Sequence, residues 1–324
     1  MMRTLLVWLL LSLAVSAQVP PPRPAQDAIR IAEFYRLAGQ IQDHVWPGWS
    51  KTPAPLLLVT SDAEYLTHFA SPPKDFQKVG EDVYVRPRQF APNMEATFPA
   101  FGFPPVIVIG EPKATQSQTS TPWLITLMHE HFHQLQWAQP EYVKAIADLG
   151  LSKGDATGMW MLNYPFPYDN LELAQAFEYL RDSLLNTLNE VDQQKFELLR
   201  KKYLKDRKQY FAQLLPGDHK YFSFQLWQEG VARYTQVKSA EGAADYQPSA
   251  AYTALPDFTP FSSYAVTARS RTLDELKHID ITQSKREVFY SFGAAEAMLL
   301  DRINPGWKDQ YFQHLLTTDP LFPK

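Results

Sequence analysis

Residues 121–137 have the sequence TPWLITLMHEHFHQLQW and predict one long helix on which the rest of the chain is built. Thr121 suits the N-cap, Pro122 the first helical position, and Pro140 limits the other end. The apolar residues recur at spacings of three and four: Leu124, Leu127, Met128, Phe132 and Leu135. This periodicity predicts a helix with a buried apolar stripe.

The same helix carries His129-Glu-x-x-His133, in which two histidines are separated by one helical turn. Four residues advance about 400°, so both imidazoles leave one face and can share a tetrahedral zinc ion at roughly 2.0–2.1 Å. Glu130, about 100° around the helix, flanks the metal and suits a general base. His131, about 200° away from His129, is not expected to be a ligand. The alternative interpretation is a metal-free amphipathic helix that happens to carry histidines.

Two histidines leave a catalytic zinc ion one protein ligand short, so a carboxylate on another helix is expected. The candidates are Glu172, Glu178 and Glu229. Glu229 interrupts the aromatic and apolar run LWQEGVARY, and a buried carboxylate there needs a cation. Gly230 beside it would let two helices approach closely. An exposed helical glutamate remains the alternative for Glu229.

Two further segments resemble gluzincin metallopeptidases, especially those similar to the large zinc aminopeptidases. WQEGVA at 227–232 resembles the family's Glu-Gly-x-Ala segment, which carries the third zinc ligand. FYSFGAAEAMLL at 289–300 resembles its Tyr-x-x-Gly helix start. The resemblance implies a zincin-like catalytic region that binds Zn²⁺ through His129, His133 and Glu229. It also implies that Tyr290 stabilises the oxyanion.

The resemblance covers three helices, and the rest of the chain departs from that family. Far more residues separate His133 from Glu229 than is typical, so a helical insertion, 140–220, is expected. The exopeptidase segment Gly-x-Met-Glu-Asn is absent, and Asn93-Met-Glu95 is expected to be a plain loop or strand. The choice between an exopeptidase and an endopeptidase therefore stays open.

Residues Met1 to Ala17 predict a secretory signal peptide. Arg3 provides the positive start, residues 5–15 an apolar core, and Val15-Ser-Ala17 a small-residue cleavage site. An uncleaved anchor is the alternative, although the apolar run is well short of the roughly 20 residues of a spanning helix. No other stretch is expected to cross a membrane. The chain has no cysteine, which suits a secreted or bacterial periplasmic protein without disulfides.

Composition narrows the remaining function classes. A formal net charge of −4 gives no electrostatic footprint for nucleic acid. The chain shows no Gly-x-Ser-x-Gly elbow, phosphate-binding loop or dinucleotide fingerprint. Five other histidines are isolated in sequence and are expected to be structural or exposed: His44, His68, His219, His278 and His314.

The order of elements predicts an α+β fold. After a Pro-rich leader at 18–24, residues 25–324 are expected to form a single domain, with a small sheet in 25–115 and mainly helices in 116–324. Strands are predicted at 56–60, 83–87 and 105–110. Helices other than 121–137 are predicted at 28–45, from 170 onward, and at 191–215, 223–236, 285–303 and 307–316.

No catalytic or binding site is predicted in two stretches of the helical region. Residues 240–284 are expected to be mostly irregular. The basic residues of the 191–215 helix are expected to form a solvated face: Arg200, Lys201, Lys202, Lys205, Arg207 and Lys208.

The sequence therefore predicts a secreted or periplasmic zinc metallopeptidase that acts on a peptide or protein. Two alternatives remain: a zinc hydrolase of non-peptide amides or esters, and a catalytically silent zinc-binding extracytoplasmic protein. Specificity, oligomeric state and the presence of a pro-region are not predicted.

Overall fold

The computed structural model describes residues 22–323, and this part of the chain has a mixed α+β fold. A six-stranded sheet lies in the N-terminal part and helices follow it, as predicted. The predicted signal peptide lies outside the described residues. Among residues 22–323, no helix combines the length and apolar character needed to span a bilayer.

The strands of the sheet are β1 (Leu56–Val59), β2 (Ala63–Thr67), β3 (Gln77–Lys78), β4 (Val83–Pro87), β5 (Glu95–Phe98) and β6 (Val106–Gly110). Their order across the sheet is β3-β4-β2-β1-β6-β5. Strands β1 and β6 run parallel, and the other pairs are antiparallel. Strand β5 therefore lies at an edge and pairs with β6 alone among the described strands.

Apolar cores lie on both faces of the sheet. Leu58 and Ile109 belong to the large core shared with the helices, whereas Leu57 and Val108 belong to a smaller core on the opposite face. Successive side chains of a strand point to opposite faces, so continuous apolar runs suit strands that are buried on both sides. This is why β1 and β6 were predictable from sequence.

Thirteen α-helices are described between residues 22 and 323: α1 (Ala25–Val45), α2 (Ser120–Trp137), α3 (Tyr142–Asp148), α4 (Trp160–Asn163), α5 (Leu171–Asn189), α6 (Gln193–Phe211), α7 (Pro216–Gln225), α8 (Val231–Gly242), α9 (Ala250–Thr253), α10 (Phe261–His278), α11 (Ile281–Ser284), α12 (Val288–Ile303) and α13 (Trp307–Tyr311). A π-helical turn, Leu226–Gly230, joins α7 to α8.

Helix α2 is central and is fixed to the sheet by a buried amide. The Gln134 side chain donates to the carbonyls of Pro55 and Pro105, which precede β1 and β6. The helix begins at Ser120 with Thr119 at the N-cap, so the prediction of Thr121 as the cap is wrong. The Thr121 hydroxyl makes a tertiary contact instead of a capping bond, because it donates to the carbonyl of the distant Thr259 at 2.5 Å.

The prediction that 240–284 is mostly irregular is wrong, since α9, α10 and α11 lie in this stretch and α10 alone occupies eighteen of its residues. Its buried stripe consists of Phe261, Ala265, Ala268, Thr272 and Leu276. The spacing is helical, but three of the five side chains are small or polar. The stripe therefore gives a weak hydrophobic signal.

The basic residues of α6 form a solvated face except at Arg207, which is a correction to the prediction. Arg207 is buried, and its guanidinium lies 2.7 Å from Glu296 on α12 and 2.8 Å from Asp319. Two acidic partners from distant segments supply the counter-charge that makes this burial possible.

Candidate metal centre

Helix α2 presents His129 and His133 from one face, as their spacing predicts. Each residue is only 6% exposed, and the two Nε2 atoms lie 3.1 Å apart. Two ligands of a tetrahedral zinc ion with bonds of roughly 2.0–2.1 Å are separated by about 3.3 Å. The separation of these nitrogens therefore suits a shared metal ion.

Glu229 lies opposite the two histidines, on the π-helical turn. Its Oε2 atom is 3.4 Å from Nε2 of His133 and 3.8 Å from Nε2 of His129. The three ligand atoms all lie within 4.8 Å of one another, so these side chains, called the ligand group below, could hold a metal ion. Single π-helical turns are frequent at functional sites because the extra residue redirects the side chains.

Two glycines allow the Glu229 turn to lie against α12. A Cβ atom on Gly230 would come 2.5 Å from the Cα of Gly293, which is too close for any side chain. A Cβ on Gly293 would meet the Cα of Gly230 at 2.6 Å. The close approach predicted at Gly230 is confirmed, and it brings α12 beside the ligand group.

The hydrogen bonds around His133 direct a nitrogen lone pair toward the ligand group. The Gln136 amide donates to the carbonyls of Trp227 and Gln228, so its Oε1 atom must face Nδ1 of His133, 2.7 Å away. Nδ1 then carries the proton, and Nε2 is available to a metal. The Gln228 side-chain nitrogen lies 3.0 Å from the same Nδ1, but the Gln136 contact is shorter and its orientation is fixed.

Burial and charge act oppositely on the two histidines. Burial lowers the pKa of His129 to about 4. Burial alone would also lower the pKa of His133, but the Glu229 carboxylate outweighs it and raises that pKa to about 9. Burial opposes ionisation of Glu229 too, yet His133 holds its pKa well below the ordinary value. A metal ion would take the place of the proton that His133 and Glu229 share.

Glu130 lies beside the ligand group, and a residue of the sheet holds its side chain in place. Its Oε2 atom accepts a hydrogen bond of 2.8 Å from the hydroxyl of Thr97 on β5. Burial raises the pKa of Glu130 to about 7, although His133 and Thr97 oppose the shift. A carboxyl group with a pKa near neutrality can both accept and return a proton.

Tyr290 lies beside His129, in the first turn of α12. Its ring stacks on that of His129, with centroids 6.1 Å apart and planes 16° apart. Burial and the Glu229 carboxylate raise the pKa of Tyr290 well above its ordinary value. The phenol therefore keeps its proton at neutral pH and can serve as a donor.

The other candidates lie outside the ligand group. Glu172 and Glu178 are exposed on α5. His131 is buried, and its two ring nitrogens lie at hydrogen-bond distance from Gln134 and Gln42, so it lies outside the ligand group as expected. The isolated histidines contribute no ligand to this group either: His44, His68, His219, His278 and His314.

The segment Asn93-Met-Glu95 leads into β5, in agreement with the expectation of a loop or strand. The Glu95 side chain accepts a hydrogen bond from the backbone of Gln116, and burial raises its pKa.

Sequence reasoning missed Arg233 and Arg286. Their guanidinium carbons lie 5.8 and 5.3 Å from the centre of the Tyr290 ring. Arg233 follows Glu229 by four residues, and Arg286 precedes Tyr290 by four. This spacing usually places helical side chains on one face and could have indicated both residues.

No protein-family model, curated protein or solved structure matches this chain.

Proposed function

We propose that this chain is a zinc-dependent peptidase of gluzincin type, with His129, His133 and Glu229 as the metal ligands. The observation that carries the proposal is the Glu130 carboxylate, held beside a group of two histidines and one carboxylate. Structural zinc sites usually have four protein ligands, whereas catalytic sites have three and an open position. A bound zinc ion would supply Lewis-acid chemistry toward a carbonyl group.

Glu130 acts as the general base. The Thr97 hydroxyl fixes one carboxylate oxygen, and a pKa of about 7 lets the group take a proton from the attacking water. The resulting carboxylic acid then returns that proton to the departing amine. Such proton transfer typically accelerates a reaction about 10²–10⁴-fold.

Tyr290 acts as a hydrogen-bond donor to the oxyanion. Its ring is held against His129, and its high pKa keeps the hydroxyl protonated throughout the neutral range. A donor that is already oriented toward developing charge stabilises the transition state without reorganisation.

The position of β5 favours a peptide over other amides and esters. This strand pairs only with β6 in the described part of the sheet, and its Thr97 touches the proposed base. An extended peptide can add to such an edge through main-chain hydrogen bonds, which would bring its backbone alongside Glu130. The signal-like sequence pattern of residues 1–17 supports an enzyme that acts after export.

Substitution of the proposed base tests the function. We expect zinc-loaded wild-type protein to cleave a mixed peptide library, and Glu130→Gln to lower the rate about 10²–10⁴-fold while retaining the metal. The control is Glu141→Gln, which changes an exposed glutamate just beyond the end of α2 and should leave the rate unchanged. Cleavage products and metal content are measured by mass spectrometry.

Two results would contradict the proposal. One is an uncleaved library with metal-loaded wild-type protein, and the other is equal hydrolysis by Glu130→Gln and wild type. Cleavage of model esters or non-peptide amides alone would reassign the substrate and leave the metal site in place.

A further inference from the structure

Two partly buried arginines flank Tyr290, and neither is needed to hold the metal. Arg233 lies on α8, one turn after Glu229, and Arg286 lies just before α12. Their side chains are 29% and 19% exposed. Both positive charges therefore stand beside the ligand group and are partly shielded from water.

Each guanidinium has a buried N–H group without a hydrogen-bond acceptor among the described residues, namely Nε of Arg233 and Nη1 of Arg286. The nearest carboxylates lie too far away for good hydrogen bonds. Arg233 is 3.6 Å from Glu275, and Arg286 is 3.6 Å from both Glu229 and Glu287. Buried donors without acceptors are costly, so these two N–H groups suit an acceptor that a bound ligand supplies.

The fully buried arginines show how this fold pairs a guanidinium that has only a structural role. Three of them hold a carboxylate at 2.6 or 2.7 Å: Arg30 with Asp27, Arg86 with Glu64, and Arg207 with Glu296. Arg233 and Arg286 lack such a contact. Their loose pairing therefore sets them apart from the arginines of the core.

Space and charge beside Arg233 suit a small anionic group. Arg233 lines a cavity of about 200 Å³ between α8 and α10, together with Tyr264, Arg271 and Glu275. Two arginines and one glutamate leave a positive balance there. The charge of Glu229 does not serve Arg286 alone, because this carboxylate lies 3.6 Å from Arg286 but 3.4 Å from His133.

We propose that Arg233 and Arg286 bind a carboxylate of the substrate beside the ligand group, so that peptides with a negative charge near the scissile bond are preferred. A guanidinium can donate two parallel hydrogen bonds to a carboxylate, and such charged bonds are stronger than neutral ones. The carboxylate is either the C-terminus of a short peptide or an acidic side chain. This inference rests on the proposed peptidase function.

The test compares one tetrapeptide in three forms: with a free C-terminus, with a C-terminal amide, and as the amide with one residue replaced by glutamate. For zinc-loaded wild-type protein we expect kcat/KM to be at least about 10-fold higher for one of the charged forms. Arg233→Gln and Arg286→Gln should lower the ratio of charged to neutral kcat/KM about 10- to 100-fold. Arg269→Gln, which alters an exposed arginine of α10, is the control and should preserve that ratio.

The source of the carboxylate is identified by the charged peptide whose advantage over the neutral amide disappears in the arginine variants. That peptide carries either a free C-terminus or a glutamate side chain. Equal kcat/KM for all three forms with the wild type would overturn the inference. So would a uniform loss in the arginine variants, because a merely structural role lowers every rate alike.

A binding measurement separates this inference from the proposed function. Calorimetry with the same peptides and zinc-loaded Glu130→Gln protein needs no turnover. If no peptide is cleaved but a charged form binds more tightly and loses that advantage in Arg233→Gln, the carboxylate site stands and the peptidase proposal fails. Equal binding of charged and neutral forms would overturn the carboxylate site whatever the activity.

Discussion

At the scale of single residues, the sequence predicted the side chains of the ligand group but not the contacts that orient them. His129 and His133 were predictable because helical geometry alone places residues four apart on one face. Glu229 was predictable among three candidates because a carboxylate in an apolar run needs a cation. The role of Gln136 was not predictable, since its amide bonds to carbonyls about ninety residues further along the chain.

Gln136→Leu should weaken metal binding without removing a ligand. The Gln136 oxygen holds the proton on Nδ1 of His133, and substitution of such supporting residues typically lowers metal affinity about 10–100-fold. Zinc affinity is measured by competition with a chromophoric chelator. Gln139→Leu, two residues after the same helix and outside the site, should retain the wild-type affinity. An unchanged affinity in Gln136→Leu would show that this hydrogen bond does not orient the ligand.

At the scale of elements, the site depends on two helices that nearly touch. Gly230 and Gly293 leave no room for a Cβ atom between the π-helical turn and α12. The two elements in contact carry Glu229 and Tyr290, respectively. The sequence indicated it through Gly230, but the π-helical turn itself follows from packing and has no simple sequence signal.

Gly230→Ala should destabilise the fold by about 1–3 kcal/mol or more and weaken zinc binding, because the added methyl group forces the two helices apart. Gly39→Ala is a matched control, since a Cβ there meets nothing within 4 Å on an exposed helical face. It should stabilise the protein by up to about 1 kcal/mol through helix propensity. Denaturant unfolding measures both changes. Equal stabilities for the two variants would contradict the close crossing.

The strands that were not predicted lack the continuous apolar pattern by which β1 and β6 were found. Strand β2 contains Glu64, which is fully buried and lies opposite Arg86 of β4 at 2.7 Å. A charged residue in a short run argues against a buried strand unless its partner is known. Strand β5 is only four residues long and partly exposed, so it has no distinctive pattern. Its Thr97 therefore could not be linked to Glu130 from sequence.

At the scale of the whole molecule, a charge cluster fixes the C-terminal segment to the helices. Asp319 contacts Arg207 of α6 at 2.8 Å and His219 of α7 at 3.0 Å. Burial would raise the pKa of Asp319, but His219 and Arg207 outweigh it and lower that pKa to about 2. The ionised form is therefore favoured in the folded state.

This lowered pKa predicts a pH-dependent contribution to stability. The contribution is fully present above the ordinary aspartate pKa near 4 and is lost as the pH falls toward about 2. Asp319→Asn should cost about 1–2 kcal/mol at pH 7, a figure reduced for solvent screening because the side chain is 33% exposed.

Denaturant unfolding of Asp319→Asn and wild type at several pH values measures this effect. The difference between them should shrink below about pH 4. Asp309→Asn, at a nearby exposed position, should show little change. A difference that is independent of pH would assign the effect to packing instead of charge.

The central claim is that His129, His133 and Glu229 bind one zinc ion, and metal analysis of residues 18–324 tests it most directly. The account predicts about one zinc per chain for the wild type and for Glu172→Ala, with loss or marked weakening in Glu229→Ala. A wild-type protein without stoichiometric metal would contradict the claim. So would Glu229→Ala that keeps its zinc while Glu172→Ala loses it.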